Sequence, residues 1–354
     1  MLLSPLLFFD ANGNPRISAA VVKARILPAL LALLSALACA GEQFPQSTLH
    51  PKSDFGWAIQ DLFAGIFWWA VAVFIVVEGL LLYTIIRYRA RPNAPKPPQT
   101  HGHTILEIGW TIAPALILIF IAVPTVRTIF TTQGKAPEGA MRVEVVGHQW
   151  WWEFRYPELG IVTANELHLP VGKPVALEMT TVDVLHSFWI PALGGKRDVV
   201  NRRINRLSFT PDTLGSYPGQ CAEYCGDSHA NMRVWAVVET DSAFQAWVAR
   251  QTGQPAALDS GSLAWEGRRV FSRSACIGCH TMAGVPAAVG QIGPNLSHVG
   301  GRVSLAAGMF TNNTDNLRRW VSNAPAMKPG SLMPAMVLSD ADLDAIVAYL
   351  QSAR

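Results

Sequence analysis

A stretch of twelve residues, CAEYCGDSHANM, brings together side chains that bind soft metal ions. It holds Cys221, Cys225, His229 and Met232, and His186 lies upstream in DVLHSFWIP. Thiolate, thioether and imidazole ligands suit copper, and a mononuclear electron-transfer copper uses two His, one Cys and a weak axial Met. Here a second cysteine stands four residues from the first. Both sulfurs can therefore bridge a pair of copper ions, with one histidine on each ion.

Two other interpretations of this cysteine pair stay open from the residues alone. Cys221 and Cys225 can form a disulfide in an oxidising compartment, but a disulfide leaves His186, His229 and Met232 without a role. Zinc also accepts two Cys and two His, but it has no use for a thioether. Copper is the interpretation that uses all five side chains.

The other close pair of cysteines has the spacing of a haem attachment site. In CIGCH, Cys276 and Cys279 can bond to the vinyl groups of a c-type haem while His280 binds its iron. The pentapeptide alone also fits a thiol redox motif or a zinc motif. Three further features favour haem: the predicted export of this region, a helical segment before the motif, and a methionine-containing segment after it.

That later segment, GSLMPAM, offers a sixth ligand for the haem iron. We favour Met333, with Met336 as the second candidate and Met327 as the third. A methionine and a histidine together raise the reduction potential of a haem into the range of an electron carrier. The sequence thus predicts two redox centres in one chain.

Two long apolar runs precede both centres, at residues 62–86 and 105–130. Each run reaches the roughly 20 residues that a helix needs to cross a bilayer. The loop between them carries basic residues and no acidic ones, so the positive-inside rule places it in the cytoplasm. Its basic residues are Arg87, Arg89, Arg91 and Lys96. Everything after the second run is then expected on the outer side of the membrane.

The first exported region, from Met141 to about Thr240, is built of short β-branched and aromatic runs separated by Pro and Gly. In VALEMTT, Val175, Leu177 and Met179 alternate with other residues, as a half-buried strand requires. About a hundred residues of this kind predict an antiparallel β-sandwich or barrel.

The N-terminal region has the features of a secretory signal peptide. Lys23 and Arg25 precede the apolar run ILPALLALLSALAC, which ends in small residues. Cys39 is a hypothetical lipidation site, and translation is expected to start nearer Val21 or Val22. Composition agrees with export to a membrane, because 50% of the 354 residues are hydrophobic and only 15% are charged. The net charge of +3 gives no reason to expect nucleic acid as a partner.

The ligand stretch, DVLHSFWIP, GHQWWWEFRYP and LEIGWTIAPALILI together resemble subunit II of cytochrome c oxidase, whose dinuclear copper A domain has a cupredoxin fold. The resemblance implies a full set of copper ligands: His186, Cys221, the carbonyl of Glu223, Cys225, His229 and Met232. It also implies that the Glu223 side chain helps to hold a magnesium ion shared with subunit I. By the same resemblance, Trp150 is the electron-input tryptophan and Glu107 lies at the mouth of a proton pathway.

The C-terminal region resembles a class I cytochrome c, with IGPNL and Met-Pro followed by the helical segment SDADLDAIVAYLQ. The resemblance implies that the Pro294 carbonyl accepts a hydrogen bond from the His280 ring. A cytochrome c fused behind a copper A domain is similar to the caa-type oxidases. Arginines of this region are expected to dock on acidic residues of the preceding one, namely Glu153, Glu158, Asp183 and Asp227.

We therefore predict a multidomain membrane protein with a two-helix transmembrane hairpin, an all-β cupredoxin domain and an all-α class I cytochrome c domain. The predicted boundaries are a signal-peptide region 1–40, a hairpin 55–131, a cupredoxin domain 140–241, a linker 242–262 and a cytochrome c domain 263–354.

The family implies an electron-input subunit of a bacterial inner-membrane oxidase. Its partners are then subunit I, subunit III, and a periplasmic cytochrome c or cytochrome bc complex as donor. The reduction of O2 takes place on subunit I. The alternative is a membrane-anchored copper and haem electron carrier that serves another reductase, such as one similar to nitrous oxide reductase. A quinol oxidase subunit is disfavoured, because such subunits lack the copper ligands.

Overall fold

The computed structural model describes residues 8–9, 15–16, 45–89, 99, 102–255 and 257–354. An N-terminal unit, Met1–Pro45, contains one pair of two-residue strands, Phe8–Phe9 and Pro15–Arg16. The second unit, Gln46–Arg354, contains everything discussed below. Cys39, the signal-peptide run, the expected start site, Arg91 and Lys96 lie outside the described residues.

Two long helices come first, α1 (Asp54–Arg87) and α2 (Thr104–Thr132), and both are long and apolar enough to cross a membrane. They contain the two predicted apolar runs. They also contact each other, with the rings of Trp69 and Phe120 stacked 5.9 Å apart. The predicted hairpin therefore forms in the structure.

The first turn of α1 attaches this hairpin to the β-domain that follows. The side chain of Asp54 accepts a hydrogen bond of 2.7 Å from the Thr210 backbone N–H. The indole N–H of Trp57 donates to Asp212 over 2.8 Å. Because α1 starts eight residues before the apolar run, Asp54 and Trp57 can contact the β-domain from the membrane helix itself.

The β-domain is a sandwich of two five-stranded sheets. Its strands are β1 (Met141–His148), β2 (Trp151–Tyr156), β3 (Ile161–Ala164), β4 (Glu166–Pro170), β5 (Val175–Thr181), β6 (His186–Trp189), β7 (Arg197–Val199), β8 (Asn205–Phe209), β9 (Gly215–Cys221) and β10 (Arg233–Glu239). The strand orders are β8-β5-β1-β2-β3 and β4-β10-β9-β6-β7. The predicted alternation in β5 is confirmed, since Val175, Leu177 and Met179 are fully buried between the sheets. The pairs β1/β5 and β4/β10 are parallel, so the sandwich is mixed rather than antiparallel as predicted.

The region predicted to be a linker begins with a helix, α3 (Asp241–Thr252). The hydroxyl of Thr240 caps it, and Phe244 and Trp247, one turn apart, are buried against the sandwich. Trp247 stacks on the His168 ring at 4.4 Å. The connecting segment is therefore shorter than predicted, because a capped helix with one apolar turn precedes the Gly- and Pro-rich part.

The C-terminal domain has its own core. Its helices are α4 (Leu263–Arg273), α5 (Cys276–Cys279), α6 (Thr314–Ser322), α7 (Ala324–Met327) and α8 (Asp340–Ser352). Helices α4 and α8 touch at Gly267, where any Cβ would collide with the Ala345 carbonyl oxygen. One short hairpin, Ser304–Leu305 with Phe310–Thr311, interrupts the predicted all-α pattern.

Candidate metal and haem sites

The sandwich brings the five predicted sulfur and imidazole ligands together at one end. Cys221 is the last residue of β9, and the loop from there to β10 carries Cys225, His229 and Met232. His186 starts the neighbouring strand β6, which pairs with β9 next to Cys221. The ligating atoms of His186, Cys221 and Cys225 lie within 4.8 Å of one another.

The distances in this cluster give each sulfur its own histidine. The Cys221 Sγ is 3.9 Å from His186 Nδ1, and the Cys225 Sγ is 3.6 Å from His229 Nδ1. The two sulfurs are 3.8 Å apart, far beyond the ~2.05 Å of a disulfide. The Met232 Sδ lies 3.9 Å from the Cys225 sulfur. Two thiol sulfurs flanked by two imidazoles and a thioether fit copper by the chemistry of the donors.

A backbone carbonyl also reaches the cluster. The Glu223 oxygen is 3.2 Å from the Cys221 Sγ, and it is the carbonyl that the resemblance implies as a ligand. The Glu223 carboxylate accepts a hydrogen bond from the Tyr224 N–H at 3.1 Å and is half-buried. Its role toward magnesium stays a prediction.

The orientation of His186 is fixed by the carboxylate of Asp183, which the sequence predicted to be a docking residue instead. His186 Nε2 lies 2.9 Å from Asp183 Oδ1, which turns Nδ1 toward Cys221. Asp183 is held by the backbone N–H groups of Gln149 and Val184, each at 2.7 Å. Such a carboxylate behind a ligand histidine fixes its tautomer and ring position. The signal was present in VDVLH, where an Asp precedes the His by three residues.

The charge of the cluster is also set locally. The hydrogen bond between the two sulfurs lowers the pKa of the Cys221 thiol, and those from His186 and the Glu223 backbone lower it further against the effect of burial. The lowered pKa favours the thiolate form of Cys221, which is the form that binds metal.

Gly147 makes room for the buried imidazole of His186. A Cβ at this position would lie 2.8 Å from His186 Cδ2, closer than such contacts allow. We expect Gly147→Ala to displace His186, to lower copper retention and to cost about 1–3 kcal/mol of stability through overpacking. Copper per chain and denaturant unfolding of the purified complex measure both effects. Gly194→Ala, whose Cβ would make only ordinary contacts of 3.6 Å, is the control. Unchanged copper content and unfolding in Gly147→Ala would contradict the packing argument.

Trp150 lies against the copper-ligand loop. Its indole N–H donates to the Cys225 carbonyl at 2.9 Å, and the Gln149 side-chain amide donates to the same oxygen at 2.7 Å. The Trp150 side chain is buried, with 8% of the residue exposed. The predicted electron-input tryptophan is thus in direct contact with a predicted copper ligand.

A cavity in the C-terminal domain contains the predicted haem ligands. Cys276, Cys279, His280, Met333 and Met336 line it together with apolar side chains of α6 and α8. Both cysteines are free, as thioether formation requires. Gln149, Trp150 and Trp151 of the sandwich also line it. The residues present fit a covalently attached haem.

His280 is oriented as the resemblance implies. Its Nδ1 is 2.8 Å from the Pro294 carbonyl oxygen, which leaves Nε2 as the nitrogen for iron. Burial lowers the pKa of His280, so its imidazole is neutral and able to bind metal at neutral pH.

The sixth ligand is expected to be Met333 rather than Met336, although both line the cavity. Met327, at the end of α7, is not among the lining residues within the described part of the chain. We expect Met333→Leu to remove the methionine-to-iron charge-transfer band and to lower the haem potential by on the order of 0.1 V, within the range that axial ligands span. Met336→Leu is the matched control and keeps both. Redox titration of the two variants decides, and the opposite pattern would make Met336 the ligand.

Glu107 lies in the first turn of α2 and is exposed. Its carboxylate accepts a 3.2 Å hydrogen bond from the His103 N–H, and the His103 ring accepts one from the Leu106 N–H. These contacts are those of a helix N-terminal cap. The role of Glu107 in a proton pathway stays a prediction.

Comparison with known proteins covers all three regions of the chain. Residues 52–128 match the model of the cytochrome c oxidase subunit II transmembrane domain, residues 159–240 that of its periplasmic domain, and residues 264–354 that of cytochrome c. The matches imply copper and haem c as cofactors and subunit I of a haem-copper oxidase as partner.

Individual relatives agree with these matches. Cytochrome c oxidase subunit 2 of Alkalihalophilus pseudofirmus is 36% identical over 340 residues, covering 93% of this chain and 97% of that protein. Cytochrome c oxidase subunit 2 of a Bacillus species, strain PS3, is 34% identical over 73% of this chain and 77% of its own length. A crystal structure of the periplasmic domain of cytochrome oxidase subunit II from Bradyrhizobium japonicum is 30% identical, with a TM-score of 0.32, over 33% of this chain and 96% of that one. The chain therefore belongs to the cytochrome c oxidase subunit II family, in a form that carries a C-terminal cytochrome c domain.

Proposed function

We propose that this chain is the electron-input subunit of a cytochrome c oxidase in a bacterial inner membrane. Electrons from a periplasmic donor reach haem c, then a dinuclear copper centre, then subunit I, where O2 is reduced to water. One observation supports this order above all: Trp150 lines the haem cavity and also donates a hydrogen bond to the Cys225 carbonyl. A single side chain thus connects the two sites.

The ligand assignment follows the cluster geometry. Cys221 and Cys225 are the residues that would bridge two copper ions, with His186 on one ion and His229 on the other. Met232 and the Glu223 carbonyl would supply the weaker ligands. When bound, this centre accepts and releases one electron at a time.

The protein holds these ligands in a way that suits electron transfer. Cys221, Cys225, Met232 and His186 are all buried, His186 and Met232 fully so, and His229 is half-buried. Their positions are fixed by strands β6, β9 and β10 and by the Asp183 bond to the imidazole. A rigid and mostly buried ligand set changes little when charge arrives, which keeps the reorganisation cost low.

In the C-terminal domain, Cys276 and Cys279 would carry the haem, with His280 and Met333 on its iron. Further parts of the proposal come from the family. They are magnesium held by Glu223 at the subunit I interface, proton uptake at Glu107, contact with subunit III, and a cytochrome c or cytochrome bc complex as donor.

Rapid mixing of the oxidised complex with a reduced periplasmic cytochrome c tests the order of transfer. We expect haem c to be reduced first, the copper absorption to change next, and O2 to be consumed. Copper reduction that precedes haem reduction would contradict the proposal. Reduction of both centres without O2 consumption would favour a carrier that serves another reductase.

A further inference from the structure

Lys328 of the C-terminal domain is buried against the sandwich. It is 4% exposed, and its ammonium donates to the Trp150 carbonyl at 2.6 Å and the Asn231 carbonyl at 3.0 Å. A third bond of 3.1 Å goes to Ala306 of its own domain. A buried charge is costly unless its hydrogen bonds are satisfied. Two of its three acceptors belong to the sandwich, so Lys328 is satisfied only when the domains are in contact.

Glu166 of the sandwich makes a second buried contact, this time with groups of the C-terminal domain. It lies on β4, is 3% exposed, and its Oε1 accepts from the backbone N–H groups of Val303 and Ser304 at 2.9 and 3.0 Å. The Ser304 hydroxyl donates to the same oxygen at 3.2 Å. All three donors belong to the C-terminal domain. Each domain thus supplies one buried side chain that makes hydrogen bonds across the boundary, Lys328 with two and Glu166 with three.

Between these two contacts, the segment after Lys328 covers Trp150. A Cβ at Gly330, where φ is 75°, would lie only 2.6 Å from Trp150 Cη2. The Ser228 hydroxyl donates to the Pro329 carbonyl beside it. A glycine with positive φ is what lets this backbone come so close to the indole. The outer face of Trp150 is consequently covered by the chain itself.

Among the described residues, none of the four acids expected to dock the C-terminal domain forms an ion pair with its arginines. Three arginines pair within their own domain: Arg269 with Glu266, Arg273 with Glu266 and Asp342, and Arg318 with Asp340 and Asp344. Arg302 instead interacts with Glu166 of the sandwich, where burial raises the pKa of Glu166 and the positive charge of Arg302 opposes that effect. Asp183 is engaged by His186, and Glu153 by Arg155. Partners on the same or the adjacent helix reach the first three arginines.

From these contacts we propose that the C-terminal domain is held in a fixed position on the sandwich by Lys328 and Glu166. Trp150 is thereby closed to external cytochromes and accepts electrons only from this chain's own haem. Lys328 and Glu166 are positioning residues. The inference rests on the proposed function for the direction of electron flow. It adds that the domain is held by buried contacts, and not only by the effective concentration that a flexible linker provides.

Cutting the linker tests this domain contact without altering the residues that form it. A specific protease site is inserted between Asp259 and Gly261, in an exposed segment suited to insertion, and the complete oxidase complex is cleaved after purification. We expect the cut C-terminal domain, with its haem c, to stay with the complex through extensive washing. Release of the domain from the cut complex, at the rate expected of two unattached domains, would overturn the proposal.

A matched pair of lysine variants tests the role of Lys328 in this domain contact. Lys328→Met keeps the aliphatic stem but leaves the Trp150 and Asn231 carbonyls unpaired, so the cut complex should lose its haem domain about tenfold faster or more. Lys173→Met removes an exposed lysine ammonium that pairs with Asp241 on the surface, and should not change retention. Haem content before cleavage shows that Lys328→Met has folded. Equal retention in both variants would remove Lys328 from the proposal.

The fixed domain contact and the proposed function can fail separately in these experiments. If the cut domain stays bound but its haem does not reduce copper, the proposed function is wrong and the domain contact is supported. If the uncut complex passes electrons from haem to copper but the cut domain dissociates, the proposed function is supported and the fixed domain contact is wrong.

Discussion

Replacing Cys221 by serine is expected to destroy the copper centre while leaving the fold intact. Its sulfur lies 3.8 Å from the Cys225 sulfur and 3.9 Å from His186 Nδ1, so no other side chain can take its place. A serine hydroxyl is close in size but is a hard, protonated donor that does not bridge soft metal ions. Copper per chain should fall, and the dinuclear signal should vanish.

Oxygen consumption driven by the donor should fall in Cys221→Ser by more than the ~10–100-fold typical of losing a hydrogen-bond partner of a metal ligand. Ala222→Ser is the control, because it adds the same hydroxyl one position along the loop. It should keep copper and activity. A persistent mixed-valence spectrum in Cys221→Ser would count against the ligand assignment.

Replacing His280 by alanine is expected to abolish electron input through the haem and to spare the copper. Cys276 and Cys279 would still attach the haem, but its iron would lose the ligand that the Pro294 carbonyl orients. Loss of an axial imidazole changes the potential and the accessibility of the iron. Oxidation of the cytochrome donor should therefore fall to background.

A small-molecule reductant that reaches copper directly should still be oxidised by His280→Ala at the normal rate, because no copper ligand has changed. His298→Ala, in the same domain, is the control and should support donor oxidation. Unimpaired donor oxidation in His280→Ala would show that electrons bypass the haem.

The metal ligands could be predicted because most of them are local in sequence. Four of the five sulfur and imidazole ligands fall within twelve residues, and the chemistry of a thioether beside two thiolates favours copper over zinc. The haem pentapeptide is equally compact. The membrane helices were predicted by length and composition, and α1 extends the predicted run at its start by eight residues, of which Asp54 and Trp57 contact the sandwich.

The residues that escaped prediction act across long sequence separations. Lys328 and Glu166 are charged residues, which are usually exposed, and only the packed domains show that both are buried. Helix α3 was hidden in a segment that composition marks as a linker. The parallel pairing of β1 with β5 joins strands that are not neighbours in the chain, and a strand pattern does not specify its partner.

Electron paramagnetic resonance of the purified, oxidised complex tests the central claim most directly. We predict a signal from one unpaired electron shared equally by two copper nuclei, lost in Cys221→Ser and retained in Ala222→Ser. A signal coupled to a single copper nucleus, or a chain isolated with Cys221 bonded to Cys225, would contradict it.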